Sequence, residues 1–187
     1  MLNNEAPSDP VMLYRAATNR AIAVVEAVTP AQFDWSTPCS EWTVQQLLDH
    51  LVGGTEYLLA AASGRPPVAV QGAIGTDYRR GVQQVLAAVA QPGVMERSCV
   101  SPLGFDWPVA QAVAGTFMDV LIHTWDLARA THQDERLDPA LVQACTEIFV
   151  PEMPRRGREA GIIGPEVAVG ADASAQERLL AVMGRQP

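Results

Sequence analysis

Hydrophobic positions recur along this chain at three- and four-residue intervals, the period of helices that bury one face. Over residues 11–28, Leu13, Ala17, Ala21, Val24, Val25 and Val28 share such a face, and the pattern stops before Pro30. A second helix is signposted by Thr43 and Gln46, which match a capping box, the arrangement in which two side chains satisfy orphaned backbone N–H groups reciprocally. Trp42 and Leu47 stand where a hydrophobic staple would. Val44, Leu47, Leu48, Leu51, Leu58, Leu59 and Ala62 form the face of this helix, and Ser63-Gly64-Arg65-Pro66-Pro67 ends it. A third helix is expected from about Asp77 to Ala90, with Val82, Val85, Leu86 and Val89 inward and Pro92-Gly93 closing it.

Residues 94–107 lose the helical period and contain Ser101-Pro102-Leu103-Gly104, a turn sequence that predicts a small β-hairpin or extended loop. A long fourth helix follows from about Pro108 to Thr131. The fifth starts at Asp138-Pro139, a cap followed by proline at the first helical position, and ends before Pro151. After an irregular stretch over 157–173, Ser174 and Glu177 repeat the capping box before a short helix ending near Gly184. The pattern predicts an all-α fold, a four-helix bundle with a small hairpin or loop before the fourth helix and additional C-terminal helix. No repeat or linker divides residues 1–187, which are read as one domain with residues 1–10 as a flexible polar tail.

The fourth helix carries more than packing. Ala112, Gly115, Thr116, Asp119, His123, Asp126 and Ala130 fall on one stripe, while Val113, Phe117, Met118, Val120, Leu121, Ile122, Trp125 and Leu127 cover the other sides. A helix apolar nearly all round is a buried helix, so its polar stripe must face something polar inside the bundle. Burying two carboxylates and an imidazole without partners would cost several kcal/mol. A divalent cation compensates that charge and uses the lone pairs. Asp119 and His123 are one turn apart and project side by side. Of the other two histidines, His132 lies beyond the helix among Gln133, Asp134 and Glu135, a solvent-exposed position. His50 lies on the flank of the second helix, with Gly53 and Gly54 leaving room beside it. On residue types and spacing alone, a hydrogen-bonded interior histidine and an ordinary contact one turn apart fit these positions as well. Asp126 is placed to hydrogen-bond a ligand histidine or to pair with Arg129.

Composition narrows the partners. The 187 residues are 48% hydrophobic and 18% charged, with a formal charge of -8, which suits a folded acidic domain and gives no counterion-release term for nucleic acid. Arg155, Arg156 and Arg158, flanked by Glu152 and Glu159, read as a solvated loop. All 13 basic residues are arginine, which with the alanine-rich sequence suggests a GC-rich genome. No apolar run approaches the roughly 20 residues of a membrane span, and MLNNEAPSDP has neither the charge nor the apolar segment of a secretory leader. Cys39, Cys99 and Cys145 are odd in number and form no CxxC pair, which fits a reducing, cytoplasmic setting. Cys99 and Cys145 are expected to be buried apolar fillers.

The segment Thr37-Pro38-Cys39-Ser40-Glu41-Trp42-Thr43, running into Leu47-Leu48-Asp49-His50-Leu51, resembles the start of the second helix in actinobacterial DinB-like metal-binding proteins, including the N-terminal domain of mycothiol-dependent maleylpyruvate isomerases. The run from Asp119 through His123 and Asp126 to Thr131, and the C-terminal stretch 173–185, are similar to the same group. The resemblance implies a four-helix bundle holding a divalent metal, often zinc, through one histidine of the second helix and two ligands one turn apart on a later helix. Those positions match His50, Asp119 and His123. The isomerases carry glutamate where this chain has Asp119, so the metal either sits closer to the backbone or is bound by Asp119 through water. They also carry a further C-terminal domain, for which 187 residues leave no room, so the resemblance implies the fold more than the isomerase reaction.

The resulting expectation is a metal-binding protein, with zinc ahead of nickel or iron. It is read as a transferase or isomerase that uses a low-molecular-weight thiol such as mycothiol on a small electrophile. A metal-dependent hydrolase and a non-catalytic metal- or ligand-binding protein are the alternatives. Neither nucleic acid nor membrane is expected as a partner, and a homodimer stays open.

Overall fold

The computed structural model describes residues 9–39 and 41–187, so residues 1–8 of the expected tail lie outside the described residues. The described chain forms two compact units, residues 9–135 and residues 136–187. The first holds helices α1 (Pro10–Glu26), α2 (Val44–Ser63), α3 (Gly75–Val89) and α4 (Val109–Ala130), with a two-stranded antiparallel hairpin, β1 (Ser98–Val100) and β2 (Asp106–Pro108), between α3 and α4.

Helices α1 and α2 begin at side-chain caps. Asp9 caps α1 by accepting from the N–H groups of Val11 and Met12 at 2.8 and 3.1 Å. The Thr43–Gln46 box starts α2, and Gly64 ends it at a positive φ of 68°, the left-handed C-cap that glycine adopts without steric penalty. The hairpin pairs Cys99 with Trp107 in the segment where the helical period fails.

Helix α1 packs on α3 and α4, and α2 packs on the same two, so the cyclic order around the bundle is α1–α4–α2–α3. Sequence neighbours α1 and α2 therefore stand on opposite corners, while α2 and α4 lie side by side. The core between the helices is built from Leu13, Tyr14, Val24, Val44, Leu47, Leu58, Val85, Phe117 and Leu127, all fully buried. Full burial of each large apolar side chain contributes about 1.5–3 kcal/mol before chain entropy is set against it. The hairpin leans on α2, which carries His50, and on α4, which carries the polar stripe.

In the second unit, α5 (Pro139–Phe149) starts at the Asp138 cap and packs against α7 (Ala175–Val182), which starts at the Ser174–Glu177 box. The stretch expected to be irregular from 157, and the arginine cluster expected to be a loop, instead include α6 (Met153–Glu159). Pro154 sits in its first turn, where proline is tolerated, and pairs one turn apart, Arg155–Glu159 and Arg156–Glu152, line its solvated side. Gly157, a weak helix former, is required there because a Cβ would run into the Ile163 side chain. Among the described residues, no helix is long and apolar enough to cross a membrane.

Candidate metal centre

The start of α2 is held by the chain before it. The Val44 N–H donates to the Trp35 carbonyl at 2.9 Å and the Gln45 N–H to the Phe33 carbonyl at 3.0 Å. The Trp42 N–H donates to the Cys39 carbonyl at 2.8 Å, and Thr37 Oγ1 lies 3.0 Å from the carbonyl oxygens of both Cys39 and Trp42. This lacing fixes the Trp42 indole just outside the helix and sends His50 out of α2 less than two turns in. Asp49 faces elsewhere, accepting from the Ala73 N–H at 2.7 Å and from Gln45 Nε2 at 2.9 Å.

On α4 the stripe takes its expected place. Asp119, His123 and Asp126 lie along a helix buried on nearly every side, with Asp126 fully enclosed and His123 7% exposed. His50 Nε2 stands 3.1 and 3.0 Å from the two Asp119 oxygens, and His123 Nε2 stands 3.4 Å from Asp119 Oδ1. One ligand atom each from His50, Asp119 and His123 can be chosen so that all lie within 4.8 Å of one another. The His50 and His123 rings meet edge-on, at 72° and 4.7 Å between centroids.

Behind His123, the Nδ1–H donates to Asp126 Oδ2 at 2.9 Å, which leaves Nε2 to face Asp119 and His50. Asp126 thus stands where a carboxylate behind a ligand histidine is expected. Arg129 reaches Glu135 at 3.3 Å and lies over the buried Trp125 ring at 4.7 Å. His132 is exposed at the end of α4, beside Trp35, and takes no part in the cluster.

Asp119 and His123 each favour the other's charged form. Burial opposes the charge on Asp119, yet the two imidazoles outweigh it and hold its carboxyl far below the ordinary carboxylate range. Burial also opposes the charge on His123, and Asp119, followed by Asp126, raises that imidazole to about 9. Without an ion the Asp119 carboxylate thus stays an anion, and beside it the His123 imidazole favours its protonated form. Two imidazoles and one carboxylate are the donor set of open zinc and iron sites, and all three can present lone pairs to one point once the protons leave. The residues fit a divalent ion. The His50 and Asp119 side chains are 34% and 31% exposed against 9% for His123, so the cluster opens on the His50–Asp119 side.

Three surrounding features have weaker sequence signals. Trp42, read from the sequence as a staple with core packing favoured over lining a pocket, lies with its ring 4.6 Å from His50 and 5.5 Å from His123, a roof over both imidazoles. Tyr57, two turns beyond His50 on α2, accepts a hydrogen bond from Trp107 Nε1 at 2.9 Å and donates to the Val100 carbonyl at 3.1 Å. That bond fastens the hairpin to α2, and burial pushes the Tyr57 hydroxyl up to about 12. The Trp107 ring covers Gly115, where a Cβ would stand 3.2 Å from its edge. Of the two glycines beside His50, Gly53 has open space where a Cβ would be, and Gly54 faces Thr116. Cys145 is the buried filler expected; Cys99 is only half buried, because the hairpin strand that carries it is solvated on its outer side. Cys39 is half buried and is not a member of the triad.

A helical bundle with a His–Asp–His cluster between two adjacent helices is the class that this architecture defines. Residues 14–75 match the family model described as the mycothiol maleylpyruvate isomerase N-terminal domain. The uncharacterized proteins MT0763 and Rv0738, from two strains of Mycobacterium tuberculosis, are each 37% identical to this chain over 140 residues, covering 71% of it and 73% of their own length. The chain belongs to the mycothiol maleylpyruvate isomerase N-terminal domain family. Its fold is shared with solved structures of mycothiol-dependent maleylpyruvate isomerase and of a point mutant of that enzyme, with TM-scores of 0.56 and 0.59 at 15% and 14% identity. Each match covers 73% of this chain and 66% of the isomerase, so the chain spans just under two thirds of that enzyme's length.

Proposed function

We propose that this protein binds one divalent metal ion, zinc ahead of nickel or iron, through His50, Asp119 and His123, and uses it to act on a small electrophile with a low-molecular-weight thiol. The observation that carries this reading is the convergence of the three donors within 4.8 Å, open to solvent on one side. Membership of a family described by a mycothiol-dependent enzyme supports the thiol, and mycothiol is the first candidate. A bound divalent ion would lower the pKa of a thiol at its open position, so that thiolate forms at neutral pH.

The chain's own residues prepare that position. Asp126 holds His123 in the tautomer whose Nε2 faces the site. Asp119 supplies the one fixed negative charge of the triad, so a thiolate adds to a site that remains close to neutral. Trp42 packs on both imidazoles and shields them from water on its side. The open space beside Gly53 leaves the helix surface next to His50 free for a ligand. The reaction class is a transfer or an isomerisation begun by thiolate addition to the electrophile.

The test is the metal content of purified protein beside a His50→Ala/His123→Ala double variant, followed by thiol-consumption assays with mycothiol and electrophilic substrates. About one equivalent of metal in the wild type, lost in the variant, with thiol consumption that depends on the metal, supports the reading. No metal at purification and no uptake of added zinc would sink it.

A further inference from the structure

A run of contacts joins the candidate metal centre to the hairpin. On α2, His50, Gly54 and Tyr57 share one face, because four and seven residues bring a helix back close to the same side. On α4, Asp119, Thr116 and Gly115 descend beside them in the opposite direction. His50 meets Asp119 at 3.0 Å, and a Cβ at Gly54 would stand 3.7 Å from the Thr116 methyl. The Trp107 indole closes the far end. Its Nε1 donates to the Tyr57 hydroxyl on α2 at 2.9 Å, while its ring edge lies 3.2 Å from where a Cβ of Gly115 would be on α4. Tyr57 is seven residues beyond His50, about 10 Å of helix rise, and Gly115 is four before Asp119, about 6 Å. Between His50 and Tyr57, Gly53 has open space where a side chain would be. The half-buried Trp107 therefore stands across both helices at the distance of a small molecule from the cluster.

The chemistry of this wall is one-sided. Trp107 spends its N–H on Tyr57, Tyr57 spends its hydroxyl proton on the Val100 carbonyl at 3.1 Å, and Thr116 spends its own on the Ala112 carbonyl at 2.9 Å. Phe105 meets Trp107 edge-on, at 80° and 5.6 Å between centroids, and extends the aromatic surface. Arg65, just past α2, and Arg97, just before the hairpin, are held by Glu56 and by the Ala62 carbonyl. These residues leave indole carbon, a methyl group and glycine backbone to face a ligand. A carboxylate set here would lose water without gaining a donor, whereas a planar apolar group would bury against the ring.

We propose that Trp107 sets the substrate class of this site: its indole, fixed by Tyr57, packs on the planar apolar part of an aromatic or unsaturated electrophile and favours it over a carboxylate-bearing one. This rests on the reading of the cluster as a thiol-activating metal centre and narrows it. With an aromatic enone, the thiolate sulfur bonds to the β-carbon, the C=C electron pair moves to the α-carbon, and the thiol's proton ends there.

The face is tested first without metal. The ligand is benzylacetone, the saturated and unreactive relative of the enone benzylideneacetone, followed by ligand-observed NMR with circular dichroism as the check on the fold. Wild type is expected to bind it and not maleate. Trp107→Ala should weaken binding by about tenfold. So should Gly53→Leu, which fills the strip at a position where a Cβ meets nothing and leaves Trp107 in place. Next, kcat/KM with mycothiol is measured on the zinc-loaded protein for benzylideneacetone and for maleate. Trp107→Ala should lower the first by about tenfold and change the second by less than about twofold. No binding of benzylacetone, binding unchanged in both variants, an equal fall for both substrates, or a wild type that favours maleate overturns the proposal. A wild type that takes up no zinc overturns the metal-site reading instead, and the metal-free binding then decides the role of the Trp107 face by itself.

Discussion

The Trp42 indole lies over the His50 imidazole, 4.6 Å between ring centroids at 43°, and the same indole reaches His123 at 5.5 Å. One side chain thus touches a candidate ligand from each of two helices. Of the four tryptophans, Trp35 packs by His132, Trp107 bonds Tyr57 and Trp125 carries Arg129. Metal binding should therefore alter the emission of Trp42 above the others. Zinc titration is expected to change the tryptophan fluorescence, with most of the change lost in Trp42→Phe and kept in Trp107→Phe. An equal response in both variants would sink the assignment.

On the proposed reading, metal and protons would compete at the triad. His123, raised to about 9, is protonated at neutral pH in the metal-free protein and must lose that proton to bind. Zinc affinity should climb by about tenfold per pH unit from near neutrality and level off above about 9. Calorimetry in buffers of different ionisation enthalpy should show protons released on binding. The metal-free protein has the opposite trend. Because its folded value exceeds the unfolded one, His123 contributes stability in full below about 6.5, and that contribution is lost as pH rises through about 9.

Asp126 is fully buried and accepts from His123 Nδ1 at 2.9 Å. Asp126→Asn keeps the shape but removes the charge that selects the tautomer. Zinc affinity is expected to fall by about 10- to 100-fold with helicity retained, measured by competition against a chromophoric chelator. Affinity equal to wild type would show that His123 needs no support from Asp126.

Two helical glycines should respond in opposite ways to alanine. At Gly53 a Cβ would meet nothing within 4 Å, so Gly53→Ala should stabilise by about 0.5–1 kcal/mol through reduced chain entropy. At Gly81 a Cβ would run into the Thr55 side chain, so Gly81→Ala should destabilise by about 1–3 kcal/mol. Urea unfolding of both variants gives the sign directly. A stabilising Gly81→Ala would mean that α2 and α3 are free to move apart.

The sequence by itself determined what is local. Thr43 and Gln46, Asp138 and Pro139, and Ser174 and Glu177 mark helix starts that the structure reproduces, because a cap satisfies N–H groups within one turn. The pairing of Asp119 with His123 was legible for the same reason, since one helical turn places them side by side whatever surrounds them. Helix α6 was missed because local propensity speaks against Pro154 and Gly157, while the close approach of Ile163 to Gly157 is a contact that only the folded chain makes. Tertiary structure alone decided that α2 lies beside α4, which brings His50 to Asp119 across 69 positions and sets Trp42 over both imidazoles. It also brought Tyr57 to Trp107 and left Tyr14 and Tyr78 without partners in the core. Caps and periodicity act over a few residues, whereas the choice of facing helices depends on how whole apolar faces and loops close together, which no short segment encodes.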